Sequence, residues 1–98
     1  MKYEEIALTD NNEQHSFELW VEGKRSFIDY KRKGDTLYLL HTEVPKELEG
    51  KGIAAALVEK TLRHLEEHQL KLVPLCAYVQ SYLKRHSEWN RLVEKKED

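Results

Sequence analysis

Cysteine, glycine and long apolar runs are all scarce in this chain of 98 residues. The single cysteine, Cys76, cannot form an internal disulfide and is typical of a protein in a reducing compartment. No apolar run approaches the roughly 20 residues that a membrane-spanning helix requires. Residues 1–13 also lack the apolar centre of a secretion signal. We therefore expect a cytoplasmic protein that has no membrane partner.

An excess of charge of one sign is missing as well. The 16 Lys and Arg residues nearly balance the 18 Asp and Glu residues, which leaves a formal net charge of −2. Proteins that grip nucleic acid usually carry a strong basic excess, so we expect no nucleic-acid partner. With 40% hydrophobic and 35% charged residues, the composition is that of one soluble globular domain. We expect this single domain to span residues 1–98, with a frayed charged tail over 93–98.

What the first half does contain is the alternation of apolar and polar residues that is typical of β-strands. Phe17, Leu19 and Val21, for example, fall on one face of an extended segment. The same alternation predicts strands over 4–8, 16–22, 25–33 and 36–44, with a loop over 9–14. Gly23 and Gly34 fit the tight turns between the longer strands. Short turns between neighbouring strands predict an antiparallel meander.

The second half changes to helical spacing. Apolar residues recur every three or four positions over 51–68, which predicts an amphipathic helix. A short apolar strand is predicted over 70–74, and a second helix begins near Cys76. Trp89 and Leu92 are expected to pack back onto the core. The predicted fold class is therefore α+β, an antiparallel strand meander followed by helix, strand and helix.

Two of the four glycines, Gly50 and Gly52, stand at the start of the first helix. Glycine is the least favourable ordinary residue inside a helix, and a simple helix start would use Ser, Thr, Asp or Asn as its cap. The N-terminus of a helix presents unpaired N–H groups and the positive end of the dipole, which together attract anions. The pair therefore indicates either a phosphate cradle, with Lys51 as a nearby cation, or merely a tight bend.

Three short motifs add a resemblance to a known family. They are "HTEVP" over 41–45, "GKG" over 50–52 and "VPLCAYV" over 73–79. In addition, Gly52 and Ala54 match the [Q/R]-x-x-G-x-[G/A] segment of the GNAT superfamily of N-acetyltransferases. Over residues 37–89 the chain resembles the small stand-alone "predicted acetyltransferase" branch of that superfamily. The resemblance implies a GNAT-like (acyl-CoA N-acyltransferase) fold that uses acetyl-CoA as acetyl donor.

The resemblance also implies where the cofactor lies. The main chain of Thr42 and Val44 would pair with the pantetheine arm, and the thioester would point toward Cys76. The remaining cofactor-binding candidates are Gly50, Lys51, Gly52, Ile53, Ala54, Ala55 and Tyr82. One departure from the family pattern is Glu49, which places a carboxylate where Gln or Arg usually stands. This side chain must point away from the pyrophosphate or pair with Lys51, because like charges repel.

Cys76 is the first candidate for the chemistry. Acetyl transfer to an amine requires a base for the ammonium proton, stabilisation of the oxyanion and a proton for the departing thiolate. A cysteine at a helix start has a lowered thiol pKa. Cys76 could protonate the sulfur of CoA or carry the acetyl group itself. The alternative is a small buried apolar residue.

Two further candidates are His41 and Tyr78. A neutral histidine suits the general base near neutral pH, although His41 could instead satisfy a neighbouring backbone group. The hydroxyl of Tyr78, or that of Tyr82 one turn later, could donate a proton, although such tyrosines are more often core aromatics. His64 and His68 have the i,i+4 spacing of a metal pair but lack the full H-E-x-x-H pattern, so we predict no metal site.

We therefore interpret the chain as a minimal N-acetyltransferase that binds acetyl-CoA and transfers the acetyl group to an amine. The acceptor is not identified by any motif, and the N-terminal helices that commonly form the acceptor wall are missing. This absence favours the alternative, a non-enzymatic CoA-binding or protein-interaction module on the same fold.

Overall fold

A computed structural model describes residues 3–94 as a five-stranded sheet with two α-helices. The strands lie side by side in chain order, and they are β1 (Thr9–Asn11), β2 (Ser16–Val21), β3 (Lys24–Lys33), β4 (Thr36–Glu43) and β5 (Lys71–Pro74). The helices are α1 (Ile53–Glu67) and α2 (Ala77–Arg85), and short 3₁₀ helices span Lys46–Leu48 and Ser87–Leu92. Strands β1 to β4 pair antiparallel, whereas β5 pairs parallel to β4. The predicted α+β order of elements is confirmed.

The predicted first strand is wrong in position. Residues 4–8 are not a strand, and the chain pairs with β2 only from Thr9 to Asn11, inside the segment predicted as a loop. The polar side chain of Asn11 explains this pairing, since its amide donates to the Glu18 carboxylate over 3.1 Å. Ahead of the strand, the Tyr3 hydroxyl donates to the backbone carbonyl of Lys51 over 2.8 Å. The N-terminal segment is therefore held by long-range contacts that its own sequence does not display.

The core lies between the sheet and the helices. Helix α1 packs across β2 and β3, and α2 packs against β4, β5 and α1. The apolar stripe of α1 and the alternating residues of the strands meet here, and the fully buried side chains include Phe17, Leu19, Ile28, Leu39, Leu57, Leu62, Leu65 and Leu72. Trp89 and Leu92 are buried as predicted. At the C-terminal end Val93 bridges to Leu72, and residues 95–98 of the predicted frayed tail lie outside the described residues.

A bulge in β4 and the end of β5 together create an opening at one end of the sheet. Asp29 pairs with His41 whereas Tyr30 pairs with Leu39, so Leu40 is the extra residue of a β-bulge. Pairing between β4 and β5 stops at Leu39 and Pro74. Beyond that point, residues 40–43 of β4 have no strand beside them other than β3. The two parallel strands therefore separate toward the N-terminus of α1.

Candidate functional site

A cleft of about 380 Å³ occupies the space between the free part of β4 and the start of α1. Its lining residues are Thr42, Val44, Leu48, Glu49, Gly50, Gly52, Ile53, Ala54, Ala55 and Tyr78. Nearly all the predicted cofactor-binding residues thus line one cleft, although they come from two separate parts of the sequence. Leu48, for which the sequence indicated no role, is buried and anchors the connecting 3₁₀ helix.

The two glycines at the helix start form a tight bend and also leave open space beside the backbone. Gly50 and Gly52 have φ angles of 80° and 79°, a left-handed conformation that other residues adopt only at a cost. A Cβ built at either position would have no heavy atom within 4 Å, so the space beside them is open. The bend is therefore real, and the backbone at the bend faces an open cleft.

The N-terminus of α1 has the features of an anion site. Within the described residues its cap, Gly52, makes no side-chain hydrogen bond, and its first turn carries no acidic side chain. The Ala56 N–H bonds to the Gly52 carbonyl over 3.1 Å, which leaves the earlier N–H groups directed out of the helix end. Those N–H groups, together with the helix dipole, favour a negatively charged group in the cleft.

Two charged residues, Lys51 and Glu49, flank this helix start and differ in whether they line the cleft. Lys51 points its ammonium toward Glu22, 3.8 Å away, and it is not among the residues that line the cleft. Glu49 is among the lining residues and forms no ion pair with Lys51. An acidic residue therefore borders the cleft, and its charge opposes a bound anion.

Cys76 is the cap residue of α2 and is not among the residues that line the cleft. It is a free cysteine with 8% of its surface exposed, and its Sγ is 3.2 Å from the Thr42 Oγ1. Burial by itself raises the pKa of the thiol. The hydrogen bond with Thr42 and the backbone N–H groups of Val79 and Tyr78 act in the opposite direction and outweigh burial, so the pKa of Cys76 lies below its usual value. These contacts therefore favour the thiolate form of Cys76 more than its burial alone would.

The two tyrosines of α2 are separated by the structure. Tyr78 lines the cleft and is half-buried, and this burial raises the pKa of its hydroxyl, which therefore stays protonated near neutral pH. Tyr82 is buried elsewhere, stacks on His86 and donates its hydroxyl to Glu59 over 3.4 Å. Burial, followed by Glu59, raises the pKa of Tyr82 to about 12. Of the two tyrosines, only Tyr78 is among the described residues that line the cleft.

His41 lies on the other face of β4. Its neighbour Thr42 faces the cleft, and successive residues of a strand point to opposite sides. The His41 side chain is 59% exposed, with Nε2 3.7 Å from the carboxylate of Glu43 and its ring 6.2 Å from that of Phe27. To act as a base, His41 would have to receive the proton across the edge of β4 rather than inside the cleft.

The Thr42 hydroxyl is the functional group that the sequence did not reveal. The family resemblance implies a role for the main chain of Thr42 only, and 34 residues separate it from the cysteine that its side chain contacts. No spacing rule links two such positions, because their contact depends on how β4 and α2 meet. Thr42 lies in the motif "HTEVP" and Cys76 in the motif "VPLCAYV". That both motifs belong to the same family resemblance is the only sequence signal that connects the two residues.

A membrane span and a metal site were the other two features considered. No helix within residues 3–94 has the length and apolar character needed to cross a bilayer. His64 and His68 stack on each other with ring centroids 4.1 Å apart, and His64 lies 3.8 Å from Asp10. Over the same residues, no three metal-ligating side chains of His, Cys, Asp or Glu come together.

Comparisons with known proteins agree with this architecture. The family model described as GCN5-related N-acetyl-transferase matches residues 16–92. The chain is similar to Protein NATD1 of Homo sapiens, with 42% identity over 84 residues that cover 83% of this chain and 74% of that protein. Protein NATD1 of Xenopus tropicalis is 31% identical over 84 residues, which cover 83% of this chain and 77% of that protein.

The fold also resembles a solved structure. A GCN5-like protein from Staphylococcus aureus, determined by NMR in solution, matches with a TM-score of 0.69 and 19% identity, over 94% of this chain and 91% of that one. This likeness confirms the predicted GNAT-like α+β fold. Because the family match extends from the second strand to the last 3₁₀ helix, the chain belongs to the GCN5-related N-acetyltransferase family.

Proposed function

We propose that the protein binds acetyl-CoA in the cleft between β4 and α1 and transfers the acetyl group to an amine. One observation carries this proposal. The uncapped, glycine-opened start of α1 and the free edge of β4 line the same cleft, and the thiol of Cys76 contacts Thr42 in its wall. The anion site suits a pyrophosphate, and the extended backbone edge suits a pantetheine arm. The ionisable sulfur suits a thioester, whose departing sulfur requires a proton.

The residues present fit the cofactor. The N–H groups of the α1 start, from Gly52 to Ala55, would hold the pyrophosphate, with no Cβ at Gly52 to block its approach. The main chain of Thr42 and Val44 would pair with the pantetheine arm as a strand is added to a sheet edge. Residues 40–43 have no β5 partner, so this edge of β4 is available for such pairing.

Bound acetyl-CoA would supply an acetyl group activated as a thioester. Cys76 would then donate its proton to the departing sulfur, since its lowered pKa makes the thiol a better acid than an ordinary cysteine. Tyr78 stays protonated and lines the same wall, so its hydroxyl can donate a hydrogen bond inside the cleft. His41 remains our candidate for the base that takes the ammonium proton, acting from the outer face of β4.

A second candidate function is a CoA-binding or interaction module without turnover. The position of His41 favours this second function, because His41 is not among the described residues that line the cleft. Acetyl transfer and CoA binding without turnover require the same cofactor site, whereas an interaction module does not, so CoA binding is the property to test first.

The test is a titration of ¹⁵N-labelled protein with CoA, followed by amide chemical shifts. We expect the largest shifts over residues 42–44 and 50–55. The Ala54→Glu variant should lose binding, because it places a carboxylate in the cleft at a helical position. Ala54→Gln is the matched control for size and should bind far better than Ala54→Glu. A Gly52 variant is less informative, since the left-handed φ of 79° would strain any other residue.

Two results would contradict the proposal. One is a set of amide shifts that maps to a surface away from this cleft. The other is an Ala54→Glu variant whose spectrum shows an intact fold and whose affinity for CoA equals that of the wild type.

A further inference from the structure

Thr42 and Cys76 meet at the point where β4 and β5 separate. Their Oγ1 and Sγ atoms are 3.2 Å apart, although the residues come from a strand and from the start of a helix. Cys76 is buried and Thr42 is half-buried, so the contact is largely shielded from water. A hydrogen bond in such a place is stronger than the same bond on an exposed surface.

Two features of the backbone hold this contact in position. The N–H groups of Leu75 and Cys76 both donate to the carbonyl of Leu39, over 3.0 and 2.9 Å, which fixes the start of α2 against β4. The bulge at Leu40 then shifts the alternation of β4 by one residue, so that Thr42 pairs with the buried Ile28 and faces the core side. Without the extra residue, the Thr42 side chain would point to the outer face.

The threonine hydroxyl suits a partner that gains and loses a proton. A hydroxyl can both donate and accept a hydrogen bond, and it rotates to suit its partner. It can therefore accept from the S–H form of Cys76 and donate to the thiolate form. A valine of nearly the same shape could do neither.

We propose that Thr42 is a positioning residue whose hydroxyl orients Cys76 and donates a hydrogen bond to the thiolate formed when Cys76 gives up its proton. This inference rests on the proposed function, and it adds a side-chain role to a residue so far assigned through its main chain. As the amine nitrogen bonds to the acetyl carbon it loses one proton to the base, for which His41 is our candidate. The carbon–sulfur bond breaks, and Cys76 passes its S–H proton to the departing sulfur. The negative charge then lies on Sγ next to the Thr42 hydroxyl, until a proton from solvent restores the thiol.

The experiment measures the rate at which iodoacetamide alkylates the protein as a function of pH, without any cofactor. Cys76 is the only cysteine, so the modified site is unambiguous. We expect Thr42→Val to raise the thiol pKa and to slow alkylation near neutral pH by about tenfold, since the thiolate is the reactive form. Thr42→Ser should restore the wild-type profile. Thr61→Val is the matched control, because this buried threonine bonds to the Leu57 carbonyl instead, and it should leave the profile unchanged.

The inference is overturned if folded Thr42→Val shows the wild-type alkylation profile. Thr42→Ala provides the same measurement if the valine variant does not fold. A CoA titration of each variant keeps this failure distinct from failure of the proposed function, which would appear as absent binding in the wild type itself. In a turnover assay, Thr42→Val should lower kcat and leave KM for acetyl-CoA nearly unchanged, because its main chain is retained. A loss confined to KM would also overturn the positioning role.

Discussion

Removing the charge of Glu49 should tighten the binding of CoA. Glu49 is one of the residues that line the cleft and directly precedes Gly50, where the pyrophosphate is proposed to bind. Within the residues that the structure describes, Glu49 forms no ion pair, and the ammonium of Lys51 is directed to Glu22. The wild-type protein therefore holds an uncompensated negative charge next to its proposed anion site.

The size of the effect follows from the exposure of Glu49. Because the side chain is exposed, the dielectric is close to that of water, in which two unit charges about 4 Å apart interact by about 1 kcal/mol. A pyrophosphate that carries about two negative charges, at about 8 Å from the Glu49 carboxylate, would interact with it by a similar energy, about 1 kcal/mol. We therefore expect Glu49→Gln to lower the Kd for CoA about fivefold, since 1.4 kcal/mol corresponds to about tenfold.

Isothermal titration calorimetry with CoA measures this directly. Glu47→Gln is a close control, because Glu47 is also exposed but lies outside the cleft wall and bonds to Lys24 over 2.9 Å. The gain in Glu49→Gln should shrink at about 1 M salt, where the Debye length falls to about 3 Å. Unchanged or weaker binding in Glu49→Gln, or an equal gain in Glu47→Gln, would refute the reasoning.

Two further predictions concern histidines. If His41 is the base, His41→Gln should lower turnover by about a hundredfold or more with little change in CoA affinity; an unchanged rate would leave it a structural role. His64 is predicted to weaken the fold at acid pH, because burial and then His68 lower its pKa and the folded state favours the neutral ring. As pH falls below about 6.5 the unfolded chain takes up a proton that the folded chain resists, so stability should decrease and then level off below the folded pKa. Urea unfolding between pH 8 and pH 5 should show this slope, and His64→Gln should flatten it; an identical slope in both proteins would contradict the assignment.

Local periodicity determined a large part of this protein. The alternation of Phe17, Leu19 and Val21 and the helical stripe over 51–68 each depend on neighbouring residues, so the sequence predicted the longer strands and α1 within two or three residues. The glycine pair likewise marked the helix start, because a left-handed backbone restricts the choice of residue. Local sequence signals therefore predicted the elements that border the cleft, whereas the resemblance to the family implied that residues 42–44 and 50–55 serve one site.

Only the tertiary structure decided how those pieces meet. The pairing of Thr9–Asn11 with β2, the bulge at Leu40 and the separation of β4 from β5 depend on partner strands that are distant in the chain. A shift of one residue in a strand turns every following side chain to the opposite face. Sequence periodicity carries no information about such a shift, and this single shift turns Thr42 toward Cys76 and His41 toward the outer face.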